Sequence, residues 1–163
     1  MAQRKKKKAA RPIHPSAGPL PAKLAGCFAG RLLVFSDASR KRHGGLAAVL
    51  FDDHDGEPVV ATRSVALAGS NELELLAAIF ALEEAERRFP ARPVALFSDN
   101  SDALARLTQA ATFGLAQDLP LADLCAAPGV AAALAGASFN WVRGHASCRG
   151  NLLADQHAAA AAA

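Results

Sequence analysis

Two stretches of this chain end alike, and together they constrain most of what it can fold into. Arg31-Leu-Leu-Val-Phe-Ser-Asp37 and Pro93-Val-Ala-Leu-Phe-Ser-Asp99 both run through apolar side chains into the same Phe-Ser-Asp. Continuous apolar runs of this length, rich in branched and aromatic residues, read as strands buried on both faces. A carboxylate at the end of such a strand emerges at the sheet edge where open α/β folds bind ligands. If the two strands lie parallel and adjacent, Asp37 and Asp99 face each other across one strand spacing, roughly 5 Å. Carboxylates that close repel one another unless a proton or a cation sits between them.

The rest of the chain arranges itself around that pair. Strand one covers 31–37 and is followed by a basic loop, Ala38-Ser-Arg-Lys-Arg-His43, closed by Gly44 and Gly45. Residues 46–52 and 58–67 read as strands two and three of an antiparallel meander. The turn between them, Asp52-Asp53-His54-Asp55-Gly56, carries an Asp-Gly signal. It lacks calcium-loop spacing and a closing Glu, so it is read as a solvated hairpin turn rather than a metal site. A helix is predicted over 71–88, capped by Asn71 with Glu74 in the capping-box position. Leu75, Ala78, Ile79 and Leu82 form its apolar stripe. Glu83–Arg87 and Glu84–Arg88 read as surface pairs. Glu74 lies in the first turn beside the stripe and therefore points toward the sheet. A right-handed crossover makes strand four, 93–99, parallel to strand one. A helix over 101–111, short helices within 115–136 and a fifth strand at 138–142 follow. Trp141 is read as core. Asn151 is placed as the cap of a last helix that carries Asp155 in its second turn.

Composition matters mainly through its unevenness. The formal charge is +3 for 163 residues, but Arg4, Lys5, Lys6, Lys7, Lys8 and Arg11 put six positive charges in the first eleven residues. The remainder, with twelve basic and fifteen acidic residues, is mildly acidic. With four prolines as well, residues 1–28 read as a disordered basic arm, 29–160 as one folded domain, and 161–163 as an alanine tail. Such an arm is attracted to phosphate backbones without reading sequence, or serves as a solubilising or localisation tail. A hydrophobic share of 52% and a charged share of 20% suit a soluble globular domain. Cys27, Cys125 and Cys148 are odd in number and without C-x-x-C spacing, which favours a reducing, cytoplasmic setting over a disulfide framework or zinc site. No apolar run is long enough for a membrane span, and no apolar segment follows the basic cluster as in a secretory signal.

The order of elements, with acids at 37, 74, 99 and 155, resembles the ribonuclease H family, type 1. The motifs that carry the resemblance are Asp37-Ala-Ser39, Asn71-Glu-Leu-Glu74-Leu-Leu-Ala-Ala-Ile-Phe-Ala-Leu82, Phe97-Ser-Asp99-Asn-Ser101, Trp141-Val-Arg-Gly-His145 and Gly150-Asn-Leu-Leu-Ala-Asp155. They span about residues 31–160. Each is weak alone, but five in the right order are specific. The resemblance implies an α/β, ribonuclease H-like fold: a five-stranded mixed sheet, with a three-strand antiparallel meander plus two parallel strands, flanked by helices. It implies a metal-dependent endoribonuclease that cuts the RNA strand of RNA–DNA hybrids, leaving 5′-phosphate and 3′-hydroxyl ends. Asp37, Glu74, Asp99 and Asp155 would hold two Mg²⁺ ions, with Mn²⁺ as a substitute, and His145 would handle protons. Hard divalent cations suit such an all-carboxylate set. Substrate contacts would come from Ser39, Arg40, Lys41, Arg42, Asn71, Ser101 and Asn151, in a protein that works as a monomer.

The chain departs from the family at several places. Ala38 follows the first acid where Gly is usual, Arg40-Lys-Arg-His43 replaces a Gly- and Asn-rich loop, and Ser101 stands where Gln is usual. Between Asp99 and His145 the basic residues are Arg106 and Arg143 alone, so the basic helical protrusion of some members is missing. The N-terminal arm is expected to supply that nonspecific attraction instead. Two other readings compete: a DNA-directed nuclease on the same fold, and a non-catalytic nucleic-acid-binding module. Four intact acids weigh against the module, and the Gly-His loop and Glu74 helix weigh against the DNA nuclease.

Overall fold

The computed structural model describes residues 18–144 and 148–163. Its centre is a five-stranded sheet in the order β3-β2-β1-β4-β5, built from β1 (Leu32–Arg40), β2 (Gly44–Phe51), β3 (Val59–Val65), β4 (Val94–Ser98) and β5 (Ser138–Trp141). β1–β2 and β2–β3 are antiparallel, while β1–β4 and β4–β5 are parallel. The predicted meander plus two parallel strands is the observed topology. β1 runs three residues past Asp37, because Ala38, Ser39 and Arg40 go on pairing with Leu46, Gly45 and Gly44 of β2. The expected basic loop is therefore the tip of a tight hairpin, with the Lys41 amide donating to the His43 carbonyl at 3.1 Å.

Period-two alternation divides β1 between two cores. Leu32 and Val34 face α1 (Ser70–Arg88), whose apolar stripe includes Leu73, Ala77 and Leu82. Leu33 and Phe35 face the other way, toward Phe51, Phe97 and Ala154 of α5 (Arg149–Ala162). Phe35 stacks on Phe97 with centroids 5.0 Å apart. The alanine-rich α5 comes so close to the sheet that a Cβ on Gly45 would lie 2.1 Å from the Ala158 carbonyl oxygen. The predicted alanine tail is part of this helix. Ala162 is fully buried, and its carbonyl accepts from the His43 amide at 2.9 Å.

α2 (Ser101–Phe113), α3 (Leu119–Leu124) and α4 (Val130–Gly136) complete the first face. Several local readings are corrected. α1 starts at Ser70 with Gly69 as its N-cap, so Asn71 lies inside the helix and does not cap it. Glu84 is buried, not a surface residue, and its Oε2 accepts from both Arg87 (2.6 Å) and Arg88 (2.7 Å). Burial alone would raise the Glu84 pKa, but the two guanidinium hydrogen bonds outweigh it and hold the carboxyl below its ordinary range. Glu83 pairs across to Arg63 of β3 instead of Arg87. α5 begins at Arg149 after Cys148, so Asn151 is its third residue and no cap.

Residues 18–28 also depart from expectation. The disordered arm was read through residue 28, yet Leu20 is buried and Leu24 and Phe28 pack on the second core. The arm residues before Gly18 lie outside the described residues. No helix among the described residues is long and apolar enough to cross a membrane.

Candidate active site

The parallel register pairs Phe35 with Phe97, which brings Asp37 and Asp99 level two residues further on. Glu74, the fifth residue of α1 and so beyond the first turn in which the sequence places it, reaches them from near the helix start. Ligand oxygens of Asp37, Glu74 and Asp99 all lie within 4.8 Å of one another. One strand end, its parallel neighbour's end and one helix start thus converge on a single point. Asp37 is 5% exposed, and the Oε2 atom of Glu74 is buried with no hydrogen-bond partner.

Desolvation governs the electrostatics here. Burial, reinforced by the charge of Asp99, pushes the Asp37 carboxyl up to about 7, against the lowering effect of the Ala38 amide, which donates to Asp37 Oδ1 at 2.9 Å. Burial and the charges of Asp37 and Asp99 push Glu74 up to about 9. The hydrogen bond between Asp37 and Glu74 lowers the first and raises the second. A buried acid cluster that must retain protons at neutral pH, with one oxygen left over, has the character of a hard-cation site. The residues fit divalent metal ions.

Asp155 occupies a different position. It is exposed on α5 and outside the three-carboxylate cluster, though its charge still raises Asp37. His145 lies outside the described residues. Its neighbour Gly144 is seated against Asp99, where a Cβ would stand 2.7 Å from Oδ2, so only glycine fits there without displacing the carboxylate.

Of the remaining predicted substrate contacts, Arg40, Lys41 and Arg42 are exposed on the hairpin tip beside β1, and Ser39 is half-buried just below them. Ser101 is exposed as the first residue of α2. Asn71 is exposed and accepts from Asn100 Nδ2 at 3.0 Å while donating to Asp102 at 3.4 Å. Asn151 is 2% exposed and offers no side-chain surface to a substrate.

Two residues emerge that the sequence reading overlooked. Asn100 caps α2, its Oδ1 accepting from the Ala103 amide at 2.9 Å, and ties α2 to Asn71 of α1. An Asn just before a helical run is an ordinary cap signal and was legible. Trp141, read as core, is 57% exposed and donates its indole N–H to the Asp99 carbonyl at 3.1 Å. It ends an edge strand, and nothing in its spacing separates an inward from an outward Trp.

A groove of about 520 Å³ lies next to the carboxylates rather than on them. Asn71, Leu75, Asp102, Arg106 and Leu124 line it. Arg106, its one basic lining residue, is held by both oxygens of Asp118 at 2.7 and 2.9 Å.

The RNase H family model matches residues 29–163. Among solved structures, the N-terminal RNase H domain of Mycobacterium tuberculosis rv2228c aligns with a TM-score of 0.62 at 19% identity, over 82% of this chain and 94% of that one. RNase H1 from the halophilic archaeon Halobacterium salinarum aligns with a TM-score of 0.54 at 27% identity, over 81% and 97% respectively. LC11-RNase H1, solved in complex with an RNA/DNA hybrid, aligns with a TM-score of 0.55 at 14% identity, over 78% and 93%. A search of curated proteins returned no match.

Proposed function

Because this chain belongs to the ribonuclease H family, and is by that membership a ribonuclease H hydrolase, we propose that it cuts the RNA strand of RNA–DNA hybrids endonucleolytically, leaving 5′-phosphate and 3′-hydroxyl ends. The observation that carries this reading is the convergence of Asp37, Glu74 and Asp99 within 4.8 Å in a buried, proton-retaining cluster. Those three carboxylates, with Asp155 completing the set from α5, would hold two Mg²⁺ ions, or Mn²⁺ in their place. When bound, such a pair activates a water on one side of the phosphodiester and neutralises the departing 3′-oxygen on the other.

This chain's own groups do the rest. Asp37, on the central strand β1, would be the ligand shared by both cations. Glu74 gives up its proton when cations enter, since a positive charge reverses the sign of the field around it. Gly144 leaves room for the Asp99 carboxylate, and His145, next to it in sequence, assists the nucleophilic water or product departure. Arg40, Lys41 and Arg42 meet phosphates at the hairpin tip. Ribose recognition rests on minor-groove contacts to 2′-hydroxyls, with Asn71 and Ser101 at the rim. With Arg106 bound to Asp118, phosphate attraction falls to the hairpin and to the N-terminal arm. Deleting residues 1–11 weakens hybrid binding and flattens its dependence on salt, and an unchanged salt slope would sink that role for the arm. A monomer in the cytoplasm is the working form we assign.

The decisive experiment presents one end-labelled RNA single-stranded, paired with RNA, and paired with DNA. Mg²⁺, Mn²⁺ and chelator are each tried, with Asp99→Asn as control. Cutting confined to the hybrid, and lost with chelator and with the mutant, is the expected result. Equal cutting of an end-labelled DNA strand of the same sequence, run alongside, would move the reading to a DNA-directed nuclease. Binding without cutting under any metal would move it to a binding module.

A further inference from the structure

Residues 18–28 precede the family match, which begins at residue 29, yet they are built into the fold at a place that matters to the site. Leu20 is 5% exposed within the second core, against a cluster that holds Leu33, Phe35, Phe51 and Phe97. Phe28 stands edge-on to Phe97 at 5.1 Å. The strap's other end meets the start of α5. There the Arg149 amide donates to the Gly18 carbonyl at 3.2 Å, and the Gly150 amide to the Pro19 carbonyl at 3.1 Å.

These two amides are among the first N–H groups of a helix, which have no partner inside it. Helices ordinarily satisfy them with the side chain of the N-cap residue. The side chain of the α5 cap, Cys148, makes no capping hydrogen bond to the helix's first amides. Segment 18–19 therefore does from a distance what a local cap does elsewhere. The capped turn starts the helix that carries Asp155. Six residues separate Arg149 from Asp155, about 9 Å along a helix axis. A shift of the first turn is passed directly to that carboxylate.

We infer that Gly18–Phe28 is a positioning strap for the catalytic carboxylates, setting the start of α5 and with it the placement of Asp155 relative to Asp37. The inference rests on the hybrid-cleaving reading for its consequence but not for its geometry. The strap holds by apolar burial, so its grip depends on Leu20, which touches none of the acids.

Three full-length variants test it. Leu20→Asp puts a carboxylate among the phenylalanine rings and expels the strap, Leu20→Met keeps it seated, and Val49→Ala weakens the same core away from it. Each is assayed well below its own melting temperature for Mg²⁺ affinity by calorimetry, for amide hydrogen exchange over 149–156, and for kcat and KM on hybrid. Leu20→Asp should weaken Mg²⁺ binding on the order of tenfold, the low end for groups that orient metal ligands. It should also speed exchange at the start of α5 and lower kcat with KM nearly unchanged, while Leu20→Met restores all three. If Leu20→Asp loses stability as Val49→Ala does but keeps Mg²⁺ affinity and kcat, the strap is packing alone and the inference is overturned. If no variant cuts hybrid while Mg²⁺ affinity still falls in Leu20→Asp, the strap stands and the substrate assignment fails.

Discussion

Two acidic clusters sit at opposite edges of the same sheet, and they differ in everything except composition. The turn between β2 and β3 gathers Asp52, Asp53, His54 and Asp55 within four consecutive residues. Its three acids are exposed, Asp52 pairs with Arg92, and the Asp53 carboxylate accepts from the Asp55 amide at 2.9 Å. His54 bonds the Arg31 carbonyl at 2.8 Å. The three acids face water, and Asp52, Asp53 and His54 each have a partner. The other cluster draws Asp37, Glu74 and Asp99 from positions up to 62 residues apart, buries two of them deeply enough to keep protons, and leaves Glu74 Oε2 without a partner. Acids crowded in sequence stay solvated turn residues. Acids brought together by the sheet are desolvated, and desolvation makes them able to hold a cation.

The sharpest way to break this contrast is neutralisation. Asp99→Asn or Asp37→Asn should lower hybrid cleavage by at least about a thousandfold, the scale of losing a centre of transition-state charge stabilisation. Asp53→Asn should stay within about twofold on the same assay, since exposed groups away from a site rarely register. Comparable losses at both clusters would dissolve the distinction.

His145→Ala comes next, with a fall on the order of a hundredfold, typical for one proton-handling group. Asp155→Asn should cost less than Asp99→Asn, because Asp155 is exposed and outside the tight triad. Measuring kcat against Mg²⁺ concentration for the two variants ranks them, and equal losses would bring Asp155 fully into the centre.

A stability measurement gives the smallest signal and isolates desolvation. Asp37 and Glu74 bind protons more tightly folded than unfolded, their pKa values being raised to about 7 and about 9. The stability they contribute is therefore complete below pH 4 and is lost as pH rises through 7 and then 9. In chelator the melting temperature should fall across that window, by about 3 °C for each kcal/mol in a domain of this size. Mg²⁺ should restore more of it at pH 8 than at pH 5. Asp37→Asn should raise the chelator value at pH 8, whereas Asp53→Asn leaves it in place. A pH-independent melting temperature would mean that the triad is well solvated.

The chain by itself determined the strands, the crossover and the convergence of Asp37, Glu74 and Asp99, because apolar runs ending in Asp and a helix with Glu near its start are written in local order. It also determined, through the shared Phe-Ser-Asp endings, that Asp37 and Asp99 would meet. Tertiary structure alone decided the rest. Glu84, spaced like a surface ion pair, is buried under two arginines. Trp141, apolar by type, stands exposed because it ends the last strand of the sheet. Asn151 and Asp155 stand four apart on α5 and so share a face, yet the first is buried and the second exposed. Residues 18–28, proline-rich and weakly apolar, look unstructured locally. They are held by Leu20, Leu24 and Phe28, which pack on the second core, and by two helix amides more than a hundred residues away that donate to the Gly18 and Pro19 carbonyls. Such contacts leave no periodicity in the sequence, since each depends on which surface the sheet and α5 leave uncovered after they have packed.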